Sequence, residues 1–268
     1  MVELFFGGII MKISFITGAA NGLGKEFAVL YGRDHNNLLL VDIDEVALAS
    51  VKEELGNMYP DIYIDTIVAD LAKEEELKRV YAYTVEKGYF VNNLVNAAGF
   101  GDRCDFKDMD IDKQLKMTYV DCNAVLYFTK VFLDEMLKQD EGHIINVASI
   151  AAFMPAPYMC TYHACKSYVL LLGEAISYEI RKTNVKLLTL CPGPFLSKFV
   201  ELAHNDYTFK KIKPIKASQV AEFGYKKSLK GKSLAIVGFK NRLTIFASRF
   251  APRSFVTATS AKTMKKGD

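Results

Sequence analysis

Short apolar runs rich in β-branched residues recur along this chain, and between them the apolar spacing turns helical. Runs at 12–16, 37–41, 63–69, 90–95, 143–148, 185–190 and 233–237 read as strands. The stretches 47–55, 74–87 and 110–138, the segment after residue 24 and the one after residue 160 read as helices. Strands separated by helices cannot pair as tight hairpins. They must lie parallel, with the crossover helices packed on both faces of the sheet. The predicted fold class is therefore α/β, a single-domain doubly wound parallel sheet with helices on both faces. In such sheets ligands bind beyond the carboxyl ends of the strands, so the residues that follow each run are the ones to read for chemistry.

The first run leads into Thr17-Gly-Ala-Ala-Asn-Gly-Leu-Gly24, and a helix is expected from about Lys25. Gly18 permits the tight turn, Gly22 lets backbone approach a pyrophosphate, and Gly24 permits close helix–strand packing, with the helix N–H groups aimed at the phosphates. Asn21 and Leu23 lie in the same loop. A glycine cluster alone is weak evidence and fits a plain turn; placed between a first strand and a first helix it is considerably stronger evidence of a phosphate-cradling loop. The second run ends at Asp42, where a carboxylate can accept from both hydroxyls of an adenosine ribose and repel a 2′-phosphate. Asp44 and Glu45 follow, so a helix cap is the alternative role.

The fifth run ends at Ser149. Pro155 and Pro157 suggest a short extended crossing, and then Tyr162 and Lys166 stand four apart on one helix face. A hydroxyl at a strand end facing a phenol backed by an ammonium makes a proton-transfer site. The Tyr-x-x-x-Lys spacing is weak by itself, since it recurs at Tyr83/Lys87, Tyr178/Lys182 and Tyr207/Lys211. Only Tyr162/Lys166 has a strand-ending Ser upstream.

Composition narrows the alternatives. Five scattered cysteines without a Cys-x-x-Cys motif fit free thiols and a cytoplasmic setting, and four unclustered histidines give no metal site. No run is apolar and long enough to span a bilayer. Net charge is +3, but 15 of the 34 basic residues lie from Lys210 onward, where only Glu222 and Asp268 are acidic. Residues 240–268 thus read as a basic tail, helical in part. Over 242–253, Leu243, Phe246, Ala247 and Phe250 share one helix face beside a stripe of Arg242, Arg249 and Arg253. Packing over the pocket or at a subunit interface is the first expectation, and weak membrane-surface contact the second. Nucleic acid is not an expected partner. Residues 1–11 read as an arm or a start-site artefact with Met11 as the alternative start. Residues 12–239 read as one domain, including a lid at 195–216.

Taken together, these motifs resemble the short-chain dehydrogenase/reductase family over roughly 12–237, and in detail a bacterial NAD(P)-dependent oxidoreductase subgroup. The resemblance implies that Gly18, Gly22 and Gly24 hold the cofactor and that Asp70 and Leu71 lie near the adenine. Asn96-Ala97-Ala98-Gly99 stands where the family has Asn-Asn-Ala-Gly. Ser149, Tyr162 and Lys166 fall on the catalytic Ser, Tyr and Lys, while Tyr162 and Lys166 also contact cofactor. Pro192 and Gly193 match the turn beside the nicotinamide, and Phe195 and Ser197 match carboxamide and phosphate contacts. The family's catalytic Asn falls on Asp121, with Asn123 as the alternative register. The implied reaction is hydride transfer between a nicotinamide, NAD in preference to NADP, and an alcohol or carbonyl carbon, in a homodimer or homotetramer. Phe153, Met154, Tyr158 and Met159 would line a pocket for an apolar small-molecule substrate, or else be ordinary core. Two rivals stand beside this: a catalytically silent nucleotide-binding scaffold, and a nucleotide-sugar epimerase or dehydratase.

Overall fold

β2 (Leu38–Asp42) carries four apolar residues in a row, and all four are buried. Alternate residues of a strand face opposite ways. Leu38 and Leu40 accordingly join one apolar cluster, and Leu39 and Val41 join another on the far side of the sheet. β1 (Met11–Thr17) divides in the same way, Ile16 to the first cluster and Ile13 and Phe15 to the second. A strand of this kind needs cover on both faces.

The computed structural model describes residues 11–195 and 214–264. After β1 and β2 come β3 (Ile64–Val68), β4 (Tyr89–Asn96), β5 (His143–Val147), β6 (Lys186–Cys191) and β7 (Leu234–Ile236). All pair in parallel, in the order β3-β2-β1-β4-β5-β6-β7. The doubly wound parallel sheet is thus observed. α1 (Gly22–Arg33), α2 (Glu45–Met58) and, late in the chain, α7 (Ala217–Leu229) cover one face; Tyr31 of α1 and Tyr225 of α7 meet edge to face with centroids 5.0 Å apart. α3 (Glu74–Glu86), α5 (Val125–Gln139) and the end of α6 (Cys160–Glu179) cover the other, where Phe15 packs on Phe128 and Phe132 of α5 at 5.0 and 4.9 Å. Burying such a ring stabilises the fold by roughly 1.5–3 kcal/mol.

The chain runs outward from β1 to β3, then crosses back to β4 on the other side of β1. Order reverses between β1 and β4, which opens a crevice at their carboxyl ends. Register brings the key residues level there: Thr17 pairs with Asn96, Asn96 with Asn146, and Val147 with Leu190.

Three local features depart from the expected pattern. The stretch 110–138 is α4 (Ile111–Thr118) and α5 joined by a π-helical turn, Tyr119–Ala124. Such turns admit an extra residue and recur at functional sites. A 3₁₀ turn, Ile150–Phe153, precedes the proline crossing because the Ser149 hydroxyl accepts from the Ala151 N–H at 3.1 Å. The tail is two helices, α8 (Phe239–Ser248) and α9 (Arg253–Met264), and not one across 242–253. Pro252 accounts for the break, since the residue before a proline is pushed out of helical geometry. Of the expected arm (1–11), Met11 is the first residue of β1 and residues 1–10 lie outside the described residues, as do Ser197 and 196–213 of the expected lid (195–216). Among the described residues no helix is long and apolar enough to cross a membrane.

Candidate active site

The strand ends surround a cavity of about 1570 Å³. Its floor includes Ser149, Tyr162 and Lys166. Ser149 follows β5 in extended conformation, and its oxygen accepts from Ala151, which leaves the hydroxyl hydrogen free to point elsewhere. One turn apart on α6, Tyr162 is partly exposed to the cavity while Lys166 is buried. The Lys166 ammonium lies 5.7 Å from the centre of the Tyr162 ring and donates to the Val147 carbonyl at 3.2 Å.

The strongest partner of Lys166 is Asp121. Its Oδ1 lies 2.7 Å from Nζ, and both side chains are almost wholly shut off from solvent. Oδ1 has no other partner among the described residues, and Oδ2 accepts from the Phe100 N–H at 3.4 Å. The π turn directs Asp121 inward and leaves Asn123 exposed, so of these two candidates Asp121 is the one beside Lys166. Gly99 makes room for the pair: a Cβ there would lie 2.3 Å from Asp121 Oδ1 and 3.2 Å from Lys166 Nζ.

These charges compete. Burial works against the Lys166 ammonium, but Asp121, with smaller help from Tyr162 and Cys165, holds the pKa above the ordinary lysine value. Burial pushes the Asp121 carboxyl upward against the pull of Lys166. We read the 2.7 Å contact as an ion pair, since each charge holds the other against burial: Lys166 pulls the Asp121 carboxyl down and Asp121 holds the ammonium up. Burial also raises the Tyr162 phenol; Lys166 pulls it down, Asp121 pushes it up, and a hydrogen bond with Ser149 lowers it, with a net upward result.

The other wall of the cavity suits a dinucleotide. Gly18 and Gly22 have φ of +66° and +54°, and a Cβ on Gly18 would lie 2.8 Å from the Ala98 backbone. The first turn of α1 has no side-chain cap and no carboxylate, so its N–H groups are left for an anion. Thr17 ties this loop to its neighbour, its hydroxyl accepting from the N–H groups of Ala97 and Ala98 at 3.1 Å each. Asp42 accepts from the N–H groups of Ala20 (2.9 Å) and Asp44 (3.0 Å) and faces the cavity, while Asp44 is the cap of α2. Lys25 is drawn off to Glu54 at 2.6 Å.

A family model for the short chain dehydrogenases matches residues 12–207. The chain belongs to the short-chain dehydrogenase family, a family of oxidoreductases. An uncharacterised oxidoreductase of Staphylococcus saprophyticus is 29% identical over 182 residues, covering 68% of this chain and 77% of that protein. One from Staphylococcus aureus is 27% identical over 203 residues, covering 76% and 86%. Among solved structures, a Sphingobium yanoikuyae short-chain dehydrogenase in complex with NADPH aligns with TM-score 0.80 at 19% identity over 90% of this chain and 93% of the other. A Burkholderia phymatum family member in complex with NAD aligns at 0.78 and 21% over 90% and 94%. A 7β-hydroxysteroid dehydrogenase aligns at 0.82 and 20% over 93% and 96%. At these identities the structural likenesses show the fold.

Within this short-chain dehydrogenase, Gly18, Asn21, Gly22, Leu23, Gly24, Asp42, Asp70, Leu71, Ala97, Gly99, Pro192, Gly193 and Phe195 all line the cavity, as do Met154 and Met159. Asn96 does not. Its side chain is buried beneath, donating to Asn146 Oδ1 (2.8 Å) and Thr129 Oγ1 (3.1 Å), so it ties β4 to β5 and α5. Phe153 packs against the apolar cluster of Val125, Ala152 and Val169, and the Tyr158 ring lies beside the Arg103 guanidinium at 5.9 Å; neither lines the cavity. α8 and α9 build the far wall with Leu243, Ala247, Phe255, Val256 and Thr259; packing of the 242–253 stripe over the pocket was expected, whereas the share of α9 was not read from the sequence. Asn241 of α8 packs so closely on the Pro192–Gly193 turn that a Cβ on Gly193 would lie 2.6 Å from its Nδ2. Arg103 donates to the Met264 carbonyl at the end of α9 at 2.7 Å. The apolar stripe in the tail was the available signal; no motif pointed to Arg103.

Proposed function

We propose that this protein interconverts an alcohol and a ketone or aldehyde, with a nicotinamide dinucleotide as redox partner and Tyr162 as general acid–base. The observation that carries the reading is the placement of Tyr162 in the cavity, hydrogen-bonded to Ser149 and backed by Lys166. When bound, the nicotinamide supplies or takes the hydride. The chain's own residues do the rest. Ser149 holds the substrate oxygen, Tyr162 gives that oxygen a proton in reduction or takes one in oxidation, and Lys166 orients the phenol and pulls it toward ionisation against burial and Asp121. The uncapped start of α1 and the loop 18–24 hold the pyrophosphate.

Asp42 supports NAD as the preferred form, with NADP the alternative. Its carboxylate keeps lone pairs for ribose hydroxyls, Ile43 beside it is neutral, and Lys25 is engaged with Glu54. The wall of Leu243, Ala247, Phe255, Val256 and Met264 supports an apolar substrate. Exposed Leu126 on α5 and Leu171 on α6 support a homodimer or homotetramer through these helices. Free cysteines fit a cytoplasmic setting. Phe239, Phe246 and Phe250 stand exposed beside Arg242 and Arg249, which leaves weak contact with an anionic membrane as a minor role, tested by vesicle sedimentation at low salt.

The test is a panel of apolar ketones, aldehydes and alcohols, followed by reduced-nicotinamide absorbance with NAD(H) and NADP(H). Turnover of at least one class is expected. Tight dinucleotide binding with no turnover across the panel would favour the silent scaffold instead.

A further inference from the structure

The short-chain dehydrogenase pattern places an amide at the position held here by Asp121, and the structure shows what the carboxylate does instead. It stands 2.7 Å from the Lys166 ammonium, inside the fold, on a π turn that holds it there, opposite a glycine that leaves it room. An uncompensated lysine behind Tyr162 would present a full positive charge to the phenol. Here that charge is paired.

We propose that Asp121 is a positioning residue that cancels the charge of Lys166 and so keeps Tyr162 a phenol, able to donate its proton to a substrate oxygen, through neutral pH and well above it. This rests on the reading of Tyr162 as the proton-transfer group. The donated proton leaves Tyr162 as phenolate, which water reprotonates. The site is thereby fitted to reduction of a carbonyl over a wide alkaline range, while oxidation needs phenolate and gains rate only as pH climbs.

The other titratable groups around the pair do not do this work. The Cys122 thiol of the π turn is pushed up by its contact with Cys165 and by burial, and the Cys191 thiol of β6 to about 12 by burial. Burial lowers the His163 imidazole, whose Nδ1 meets the Met154 carbonyl at 2.8 Å. These three are uncharged at pH 7. The Cys165 thiol, held lower by Cys122, acts on Lys166 and Tyr162 in the same sense as Asp121 but is the weakest influence on each. Across the cavity, Lys113 is paired with Asp102 at 2.6 Å, and Lys116 is exposed. Among the titratable groups of the described residues, Asp121 alone lies within hydrogen-bond distance of the ammonium. Burial is the first cause of the upward shift of Tyr162, and Asp121 adds to it by offsetting part of the pull of Lys166.

The ratio of the two reaction directions at any one pH is fixed by the overall equilibrium. The mark of Asp121 is therefore the pH at which each limb turns, and both limbs must move together. The direct measurement needs no cofactor: NMR titration of the protein carrying ¹³C-labelled tyrosine, with the Tyr162 signal assigned by its loss in Tyr162→Phe. In wild type the midpoint should lie above the free value of about 10. In Asp121→Asn, of the same shape but neutral, it should fall by roughly 1–3 pH units, the effect expected of an unmasked cation within 4–6 Å. An unchanged midpoint overturns the proposal. If Asp121→Asn does not fold, wild type alone decides. Its kcat/KM for reduction should stay flat to about pH 9, one unit below the free tyrosine value, and a fall centred near pH 8 or below overturns the proposal. The two readings fail separately. Full turnover by Tyr162→Phe sinks the catalytic role itself, whereas an inactive Tyr162→Phe with an unmoved titration in Asp121→Asn sinks only the role of Asp121.

Discussion

The same spacing occurs twice around α6. Near its start stand Tyr162 and Lys166; Tyr178 stands near its end, with Lys182 past it. At the first, the lysine is buried against Asp121 and the phenol faces the cavity beside Ser149. At the second, Tyr178 is 66% exposed, its ring stacks on Arg181 at 3.8 Å, and Lys182 lies beyond the end of the helix. Tyr83, in the third such pair, gives its hydroxyl to Asp65 at 2.6 Å. Four-residue spacing supplies only a shared face. What turns that face into an acid–base site is the strand end it packs against. β5 ends under the first turns of α6 and delivers Ser149 and the Val147 carbonyl, and the π turn delivers Asp121.

Removing the feature that separates the two ends should have the largest effect. Asp121→Ala leaves a buried ammonium unpaired, so the fold should lose about 3–5 kcal/mol, read as a lowered denaturation midpoint in urea. A stability within 1 kcal/mol of wild type would mean that the pair is open to solvent. A control away from α6 comes next. Asp42→Ala with Ile43→Arg should move the ratio of kcat/KM for NAD over NADP by about 10–100-fold toward NADP, roughly 1.4–2.7 kcal/mol, with the Tyr162 titration unmoved. Wild type favouring NADP would remove Asp42 from its role. Gly99→Ala pushes a methyl against Asp121 and Lys166. It should cost about 1–3 kcal/mol and lower turnover; unaltered melting and turnover would show that the pair has slack. Arg181→Ala, at the other end of the helix, should change stability by no more than about 0.5 kcal/mol and leave kinetics alone.

The doubly wound sheet was legible because every strand but the edges is apolar on both sides and is set off by helices, a pattern that admits few other folds. The cofactor wall was legible because a glycine turn between β1 and α1 has one main use. Asp121 was located by counting along the chain, but its burial was not visible, since a π turn leaves no mark in residue type. Asn96 was assigned to the cofactor and lies instead under the sheet ends, because a side chain's direction at the last residue of a strand depends on what waits on each side. The far wall was legible in part: the apolar stripe of 242–253 was expected over the pocket, and Leu243 and Ala247 line it. α9 was not, because it is held by contacts distant in sequence, such as Arg103 to Met264, and long-range contacts of that kind carry no local signature.

The central claim is that position on the fold, and not spacing, makes Tyr162 the acid–base. It is tested most directly by measuring kcat for Tyr162→Phe and Tyr178→Phe side by side, on one substrate and with dinucleotide binding checked for each. Tyr162→Phe should bind dinucleotide as wild type does and lose roughly 10²–10⁴-fold in kcat, while Tyr178→Phe stays within twofold of wild type, on the order of 0.4 kcal/mol. Equal rates for the two variants, or a larger loss from Tyr178→Phe, would contradict it.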